Sequence, residues 1–139
     1  MEDIEGRAMM LKNIRILIVD DFSTMRRLIK KILTDLGAED VIEAENGSNA
    51  WDILNREKVN LVICDWNMPN MSGMELLEKV RADETLGDIP FIMVTAEGKK
   101  DNVTAATKKG VTGYVTKPFN AESLRSKIKT MFANAGKEK

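Results

Sequence analysis

Five short apolar runs recur along this chain, each followed by a stretch with helical spacing, and that alternation constrains the fold more than any other feature. The runs lie at 14–20 (IRILIVD), 40–44 (DVIEA), 59–65 (VNLVICD), 90–96 (PFIMVTA) and 112–117 (TGYVTK). Most are near-continuous in apolar residues rather than alternating, which is the pattern of strands buried on both faces. Between the first two, Met25, Leu28, Ile29, Ile32, Leu33 and Leu36 repeat at helical spacing, with Ser23 as the candidate N-cap and Gly37 as the stop. Residues 49–57 read as a short helix burying Ala50, Ile53 and Leu54. Ser72 and Glu75 form a capping box that opens a third helix, with Met74, Leu77 and Val80 on one face. Residues 100–109, with Thr104 and Thr107 and few large apolar groups, make the weakest helix. The last helix starts at an Asn120 cap and buries Leu124, Ile128, Met131 and Phe132.

Five such units predict an α/β protein: a doubly wound, five-stranded parallel sheet of the (βα)5, flavodoxin-like kind, with strand order 2-1-3-4-5. Strands one and three are then neighbours at the point where the winding reverses. Ligands of such sheets bind outside the carboxyl ends of the strands, so those ends are where function is sought.

Composition narrows the chemistry. Lys and Arg number 21 against 22 Asp and Glu, a net charge of -1, so no basic field points to nucleic acid. No apolar run approaches the roughly 18 residues of a membrane span, and no signal peptide precedes the first strand. The expectation is a cytoplasmic monomer away from membranes. The single Cys64 lies inside an apolar strand and reads as an inert core thiol. The chain has no histidine. That excludes Ser-His-Asp and Cys-His catalysis and His-containing zinc sites. Any metal must be held by oxygen, which favours Mg²⁺ or a similarly hard ion. Ile4-Glu5-Gly6-Arg7 resembles a processing-protease site, so residues 1–11 read as an N-terminal extension left by expression, 12–134 as the domain and 135–139 as a tail.

The strand ends carry the chemistry. Strand one ends in Asp20-Asp21, strand three in Asp65, strand four in Thr95 and strand five in Lys117. In the predicted order these side chains converge on one crevice. Three carboxylates packed together repel one another, and a buried unpaired charge is costly. A divalent cation and Lys117 bring the sum to zero, ready for a phosphoryl group. A carboxylate can attack phosphorus to form an acyl phosphate, and Asp65, central among these groups, is the candidate nucleophile. Asp20 and Asp21 are the metal-side acids, and the Thr95 hydroxyl can bond a phosphoryl oxygen.

The stretches "ILIVDDFSTMRR", "DWNMPNMSG", "MVTAEGKK" and "GYVTKPF" together resemble response-regulator receiver domains, most closely the single-domain chemotaxis type, in register from about residue 12 to 134. The resemblance implies that Asp65 accepts a phosphoryl group from a chemotaxis histidine kinase. Mg²⁺ would be bound by Asp20, Asp21, Asp65 and the backbone carbonyl of Asn67. Thr95 and Lys117 would sense the phosphoryl group, and Tyr114 would be the rotameric switch. Asn67 and Glu97 would tune hydrolysis, with a dedicated phosphatase as a further partner. The Lys117-Pro118 bond is expected to be cis. Trp66 reads equally well as a partly exposed loop aromatic or as a docking residue.

Output is expected through a changed surface of the fourth helix, fifth strand and fifth helix, lined by Lys100, Val103, Thr107, Val111, Tyr114 and Lys127. A flagellar motor switch protein is the implied target. The alternatives are a phosphate sink or a constitutive binding module. A Mg²⁺-dependent aspartyl-phosphate phosphohydrolase fits less well, because it wants Asp-x-Asp on strand one and a cap insertion. No turnover of a separate substrate is expected.

Overall fold

The computed structural model describes residues 11–96 and 98–137, with 132–137 by backbone alone. Ten elements alternate: β1 (Arg15–Val19), α1 (Ser23–Asp35), β2 (Asp40–Ala44), α2 (Gly47–Arg56), β3 (Leu61–Cys64), α3 (Gly73–Ala82), β4 (Phe91–Thr95), α4 (Lys100–Lys108), β5 (Gly113–Thr116) and α5 (Ala121–Lys137). The strands form one parallel sheet in the order β2-β1-β3-β4-β5, as the sequence predicts. The expected N-terminal extension, residues 1–11, lies outside the described residues apart from Leu11, which is fully buried. By backbone α5 runs on to Lys137, into the segment expected as a tail. Among the described residues no helix is long and apolar enough to cross a membrane.

Strand side chains alternate between two apolar layers. Ile16, Ile18, Leu61, Ile63, Ile92 and Val94 face one layer with Ile29, Ile32 and Leu33 of α1 and Leu124, Ile128 and Met131 of α5. Leu17, Val19, Val62, Cys64, Phe91 and Met93 face the other, with Ala50, Ile53 and Leu54 of α2 and Leu76, Leu77 and Val80 of α3. Each fully buried Leu, Ile or Phe contributes about 1.5–3 kcal/mol. These two layers therefore dominate stability and fix the strand register.

Several helix details differ from the sequence reading. Leu28 is 44% exposed rather than part of the α1 stripe, which is Ile29, Ile32, Leu33 and Leu36. Leu76, not Met74, completes the buried stripe of α3 with Gly73, Leu77 and Val80, because the sheet demands a broad i, i+3, i+4, i+7 face. Ser23 is not the N-cap of α1. Phe22 takes that place in extended conformation, and its amide is already bonded to the Asp20 side chain, so Ser23 becomes the first helical residue. At the other end Gly37, with φ 99°, closes α1: its amide donates to the Thr34 carbonyl and that of Ala38 to Leu33.

The capping box forms as expected. The Ser72 hydroxyl accepts from the Glu75 amide at 3.1 Å, and the Glu75 carboxylate accepts from the Ser72 amide at 2.8 Å. Replacing Ser72 by alanine should lower stability by about 1 kcal/mol, read as a lower urea midpoint with an unchanged slope. An unchanged midpoint would mean that the cap is already satisfied by water.

Candidate functional site

The backbone ladder runs one residue past β1 and β3. The Asp20 amide donates to the Ala44 carbonyl at 3.2 Å and the Asp65 amide to the Val19 carbonyl at 2.9 Å. Both aspartates are thereby held at the carboxyl edge of adjacent strands, with side chains 1% and 5% exposed as whole residues. Asp21, next along the chain, is exposed. One carboxylate oxygen from each of the three lies within 4.8 Å of the others.

Lys117 arrives from β5. Its amide donates to the Thr95 carbonyl at 2.8 Å, its bond to Pro118 is cis, and its Nζ lies 3.2 Å from Asp20 Oδ2 and 3.4 Å from Asp65 Oδ2. Each buried carboxylate divides its oxygens in the same way. Oδ1 of Asp20 accepts from the Phe22 amide at 2.9 Å, and Oδ1 of Asp65 accepts from the Trp66 amide at 2.7 Å. The other oxygen of each turns to the lysine. Thr95, fully buried, ends the intervening β4.

The electrostatics leave a deficit of positive charge. Burial raises the Asp20 pKa above its ordinary value and the Asp65 charge adds to this, while the Phe22 amide and Lys117 oppose it. One ammonium faces two buried carboxylates, with a third at the rim. The donor set is all oxygen, which suits a hard divalent ion such as Mg²⁺ and not a soft one. Cys64, the neighbouring thiol, is buried, and burial raises its pKa further from neutrality, with Asp65 and Asp20 contributing.

Three residues outside the expected set of site residues hold this arrangement. Gly73 is the first residue of α3, and a Cβ there would stand 2.1 Å from the Asp65 carbonyl oxygen and 2.9 Å from Trp66 Cα. Its own amide donates to the Trp66 carbonyl at 2.8 Å. The loop after Asp65 therefore returns onto a bare helix start. Arg26 donates to the Asp20 carbonyl at 2.7 Å and pairs with Glu43 at 2.8 Å. Its signal was available in the run of two arginines on α1. Trp66 is half-buried, and its ring meets that of Tyr114 edge-on, with centroids 6.4 Å apart and planes at 77°. Nothing in the linear sequence announces that contact.

The remaining predicted residues fall in two groups. Asn67 lies two positions beyond Asp65 with an exposed side chain, and Glu97 lies outside the described residues. Lys100 and Thr107 are exposed on α4, with Val103 half-buried between them. The Thr107 hydroxyl donates to the Val103 carbonyl of its own helix at 2.9 Å. Val111 and Tyr114 pack on the α2/α3 layer, and the Lys127 stem lies over Gly113.

Comparison with known proteins agrees with this geometry. The family model for the response regulator receiver domain matches residues 16–129. The chain belongs to the response-regulator receiver family. Within that family it is of the CheY type. It is 50% identical over 125 residues to a chemotaxis protein CheY homolog of Campylobacter jejuni, covering 89% of this chain and 96% of that one. It is 46% identical over 125 residues to chemotaxis protein CheY-3 of Vibrio cholerae, covering 90% and 96%. Among solved structures, CheY4 of Vibrio cholerae superposes with a TM-score of 0.79 at 30% identity, over 85% of this receiver and 98% of that chain.

Two outcomes follow from the site's geometry. Because the folded-state pKa of Asp20 is raised, the folded receiver binds that proton more tightly than the unfolded chain does. Stability therefore falls as pH rises from the unfolded value, about 3.9, through the folded one. Asp20→Asn should raise the melting temperature of chelator-treated receiver at neutral pH by roughly 3–5 °C, about 1 kcal/mol, and the gain should vanish below about pH 4. A lower midpoint at neutral pH would contradict the charge-crowding account. Gly73→Ala should cost more than about 2 kcal/mol, measured by urea unfolding, since the new methyl meets the backbone of both Asp65 and Trp66.

Proposed function

We propose that this receiver accepts a phosphoryl group on Asp65 from a histidine kinase in a chemotaxis pathway, with Mg²⁺ bound by Asp20, Asp21, Asp65 and the Asn67 backbone carbonyl. The observation that carries the reading is Lys117 Nζ held within 3.4 Å of two buried carboxylates on adjacent strand ends. Crowding of this kind costs stability, and an incoming cation and phosphoryl group relieve it.

In the forward step an Asp65 carboxylate oxygen bonds to phosphorus while the bond from phosphorus to the donor breaks, the histidine nitrogen leaving with its electron pair. The Trp66 amide fixes Oδ1 and so orients the carboxylate. Lys117 moves its charge from a carboxylate pair to the phosphoryl oxygens, and the Thr95 hydroxyl donates to one of them. The bound metal would neutralise charge on those same oxygens. Hydrolysis returns the carboxylate: water attacks phosphorus and phosphate leaves. Asn67 and Glu97 would tune the rate of that hydrolysis, and a dedicated phosphatase would speed it. No separate substrate is turned over.

The output is a change of surface. With Thr95 drawn to the phosphoryl group, Tyr114 moves inward, and the face of α4, β5 and α5 takes its second arrangement. Lys100, Val103, Thr107, Val111, Tyr114 and Lys127 would line the surface offered to a flagellar motor switch protein. The chemotaxis names of the relatives support that target.

The test is labelling with Mg²⁺ and a small acyl-phosphate donor, read by intact mass and by Trp66 fluorescence. The natural receiver should take up one phosphoryl group only when Mg²⁺ is present, and Asp65→Asn should take up none. Folded, Mg²⁺-binding protein that remains unlabelled would overturn the proposal and leave a constitutive binding role.

A further inference from the structure

The two ends of α4 are held very differently. The helix buries only Ala106, so tertiary packing fixes little of it. At its start the N-cap is Lys99, whose side chain makes no capping bond, and Lys99 and Lys100 are exposed. Its last turn and the turn into β5 are tied to α3 and to the base of β4 by one side chain.

That side chain is Arg81, in the last turn of α3. Its Nε donates to the Gly110 carbonyl at 2.8 Å, Nη1 to the carbonyls of Gly87 at 3.0 Å and Ile89 at 2.7 Å, and Nη2 to Thr112 Oγ1 at 3.3 Å. Thr112 Oγ1 also accepts from the amide of Phe91, the first residue of β4, and the Thr112 amide donates to the Phe91 carbonyl. Gly110 has φ 93°, and a Cβ there would stand 3.0 Å from Arg81 Nε, so the guanidinium stem lies flat against that turn. A second tie joins Lys109 to Glu78 of α3 at 3.0 Å. Only a planar fork reaches the loop before β4 and the turn after α4 at once; an ammonium offers a point charge in their place.

We propose that Arg81 is the positioning residue that makes the C-terminal end of α4 a fixed pivot, so that a change of state at Asp65 tilts α4 about Gly110 instead of sliding it along the sheet. The inference rests on the reading that phosphorylation reorganises the α4–β5–α5 face. It adds where that motion stops and what stops it. The loosely capped end of α4 follows Thr95 in the chain and lies on the side of the phosphorylation site. The anchored end lies at the opposite edge of the sheet. An anchor there converts a small displacement near Thr95 into a rotation that Lys100 and Val103 feel more than Thr107 and Val111.

Hydrogen exchange of the full chain, with and without Mg²⁺ and the acyl-phosphate donor, tests this directly. Labelled natural receiver should change its exchange in peptides covering 98–105 and leave 106–112 unchanged. In Arg81→Lys and Arg81→Met, labelled to the same extent, the change should spread through 106–112, with exchange there several-fold faster. Glu78→Gln, which frees exposed Lys109 without touching the fork, should give a weaker version of the same spread, and it serves if the Arg81 variants do not fold. Labelled natural receiver in which 98–112 responds as one unit would overturn the pivot and leave the output face intact. So would a silent 106–112 in every variant. Labelling without any exchange change over 98–112 would overturn the proposed output face, and the pivot with it.

Discussion

One ammonium between two buried carboxylates, Lys117 against Asp20 and Asp65, is the contact around which the carboxyl edge of this receiver is arranged. It exists only because the sheet is parallel. In a parallel sheet every strand delivers its last residue to the same edge, so acids that are 45 positions apart in sequence become neighbours when β1 and β3 pair. The ladder bonds from Asp20 to Ala44 and from Asp65 to Val19 then leave neither aspartate free to withdraw. Repulsion that would disperse three acids in an open loop is here opposed by two apolar layers. Burial of those layers outweighs it many times over.

The same constraint shapes the loop that follows Asp65. The chain must leave the sheet, keep the Trp66 amide on the carboxylate, and start α3 within one short turn. Gly73 permits this because nothing but a bare Cα fits beside the Asp65 carbonyl. Asn70, with φ 74°, provides the reversal. Trp66 is consequently touched from two sides: its amide bonds the carboxylate, and its ring meets Tyr114 of β5. In the proposed cycle it therefore stands between the chemical event and the tyrosine that reports it. The contact is edge-on and half-exposed, the kind worth about 0.5–1.5 kcal/mol, large enough to bias a rotamer and small enough to be reversed.

The sheet order and the convergence of strand ends were legible because both follow from period and placement: apolar runs announce buried strands, and the residue after each run must sit at the edge. What escaped depends on three-dimensional approach. Ser23 has the right chemistry for an N-cap, yet the Asp20 side chain takes the neighbouring amide and moves the helix start back to Phe22. Leu28 is exposed and Leu76 buried, each against expectation, because helical spacing gives a stripe without saying how wide the sheet requires it to be. Gly73 was visible as a turn residue, but its 2.1 Å approach to Asp65 was not. Arg81 reads in sequence as one more charge in a last helical turn. Only the fold brings three carbonyls and a hydroxyl to it.

The two edges of the sheet differ in how deeply their charges are buried. At the amino edge one solvated arginine faces two acids: Arg15 pairs with Asp40 and Glu57, each at 2.9 Å, and the Asn60 side chain accepts the Arg15 amide at 2.7 Å. At the carboxyl edge one lysine faces two carboxylates that are buried, where their repulsion is not screened by water. Arg15 and its partners are one-third or more exposed, so water screens each pair and none of them offsets the crowding opposite. The offset lies in the apolar layers between. Arg81 belongs to the same edge as Arg15 and is held there by three carbonyls and a hydroxyl. One edge is satisfied and still, while the other is poised for a ligand, and a helix that spans both, as α4 does, can turn about the first when the second changes.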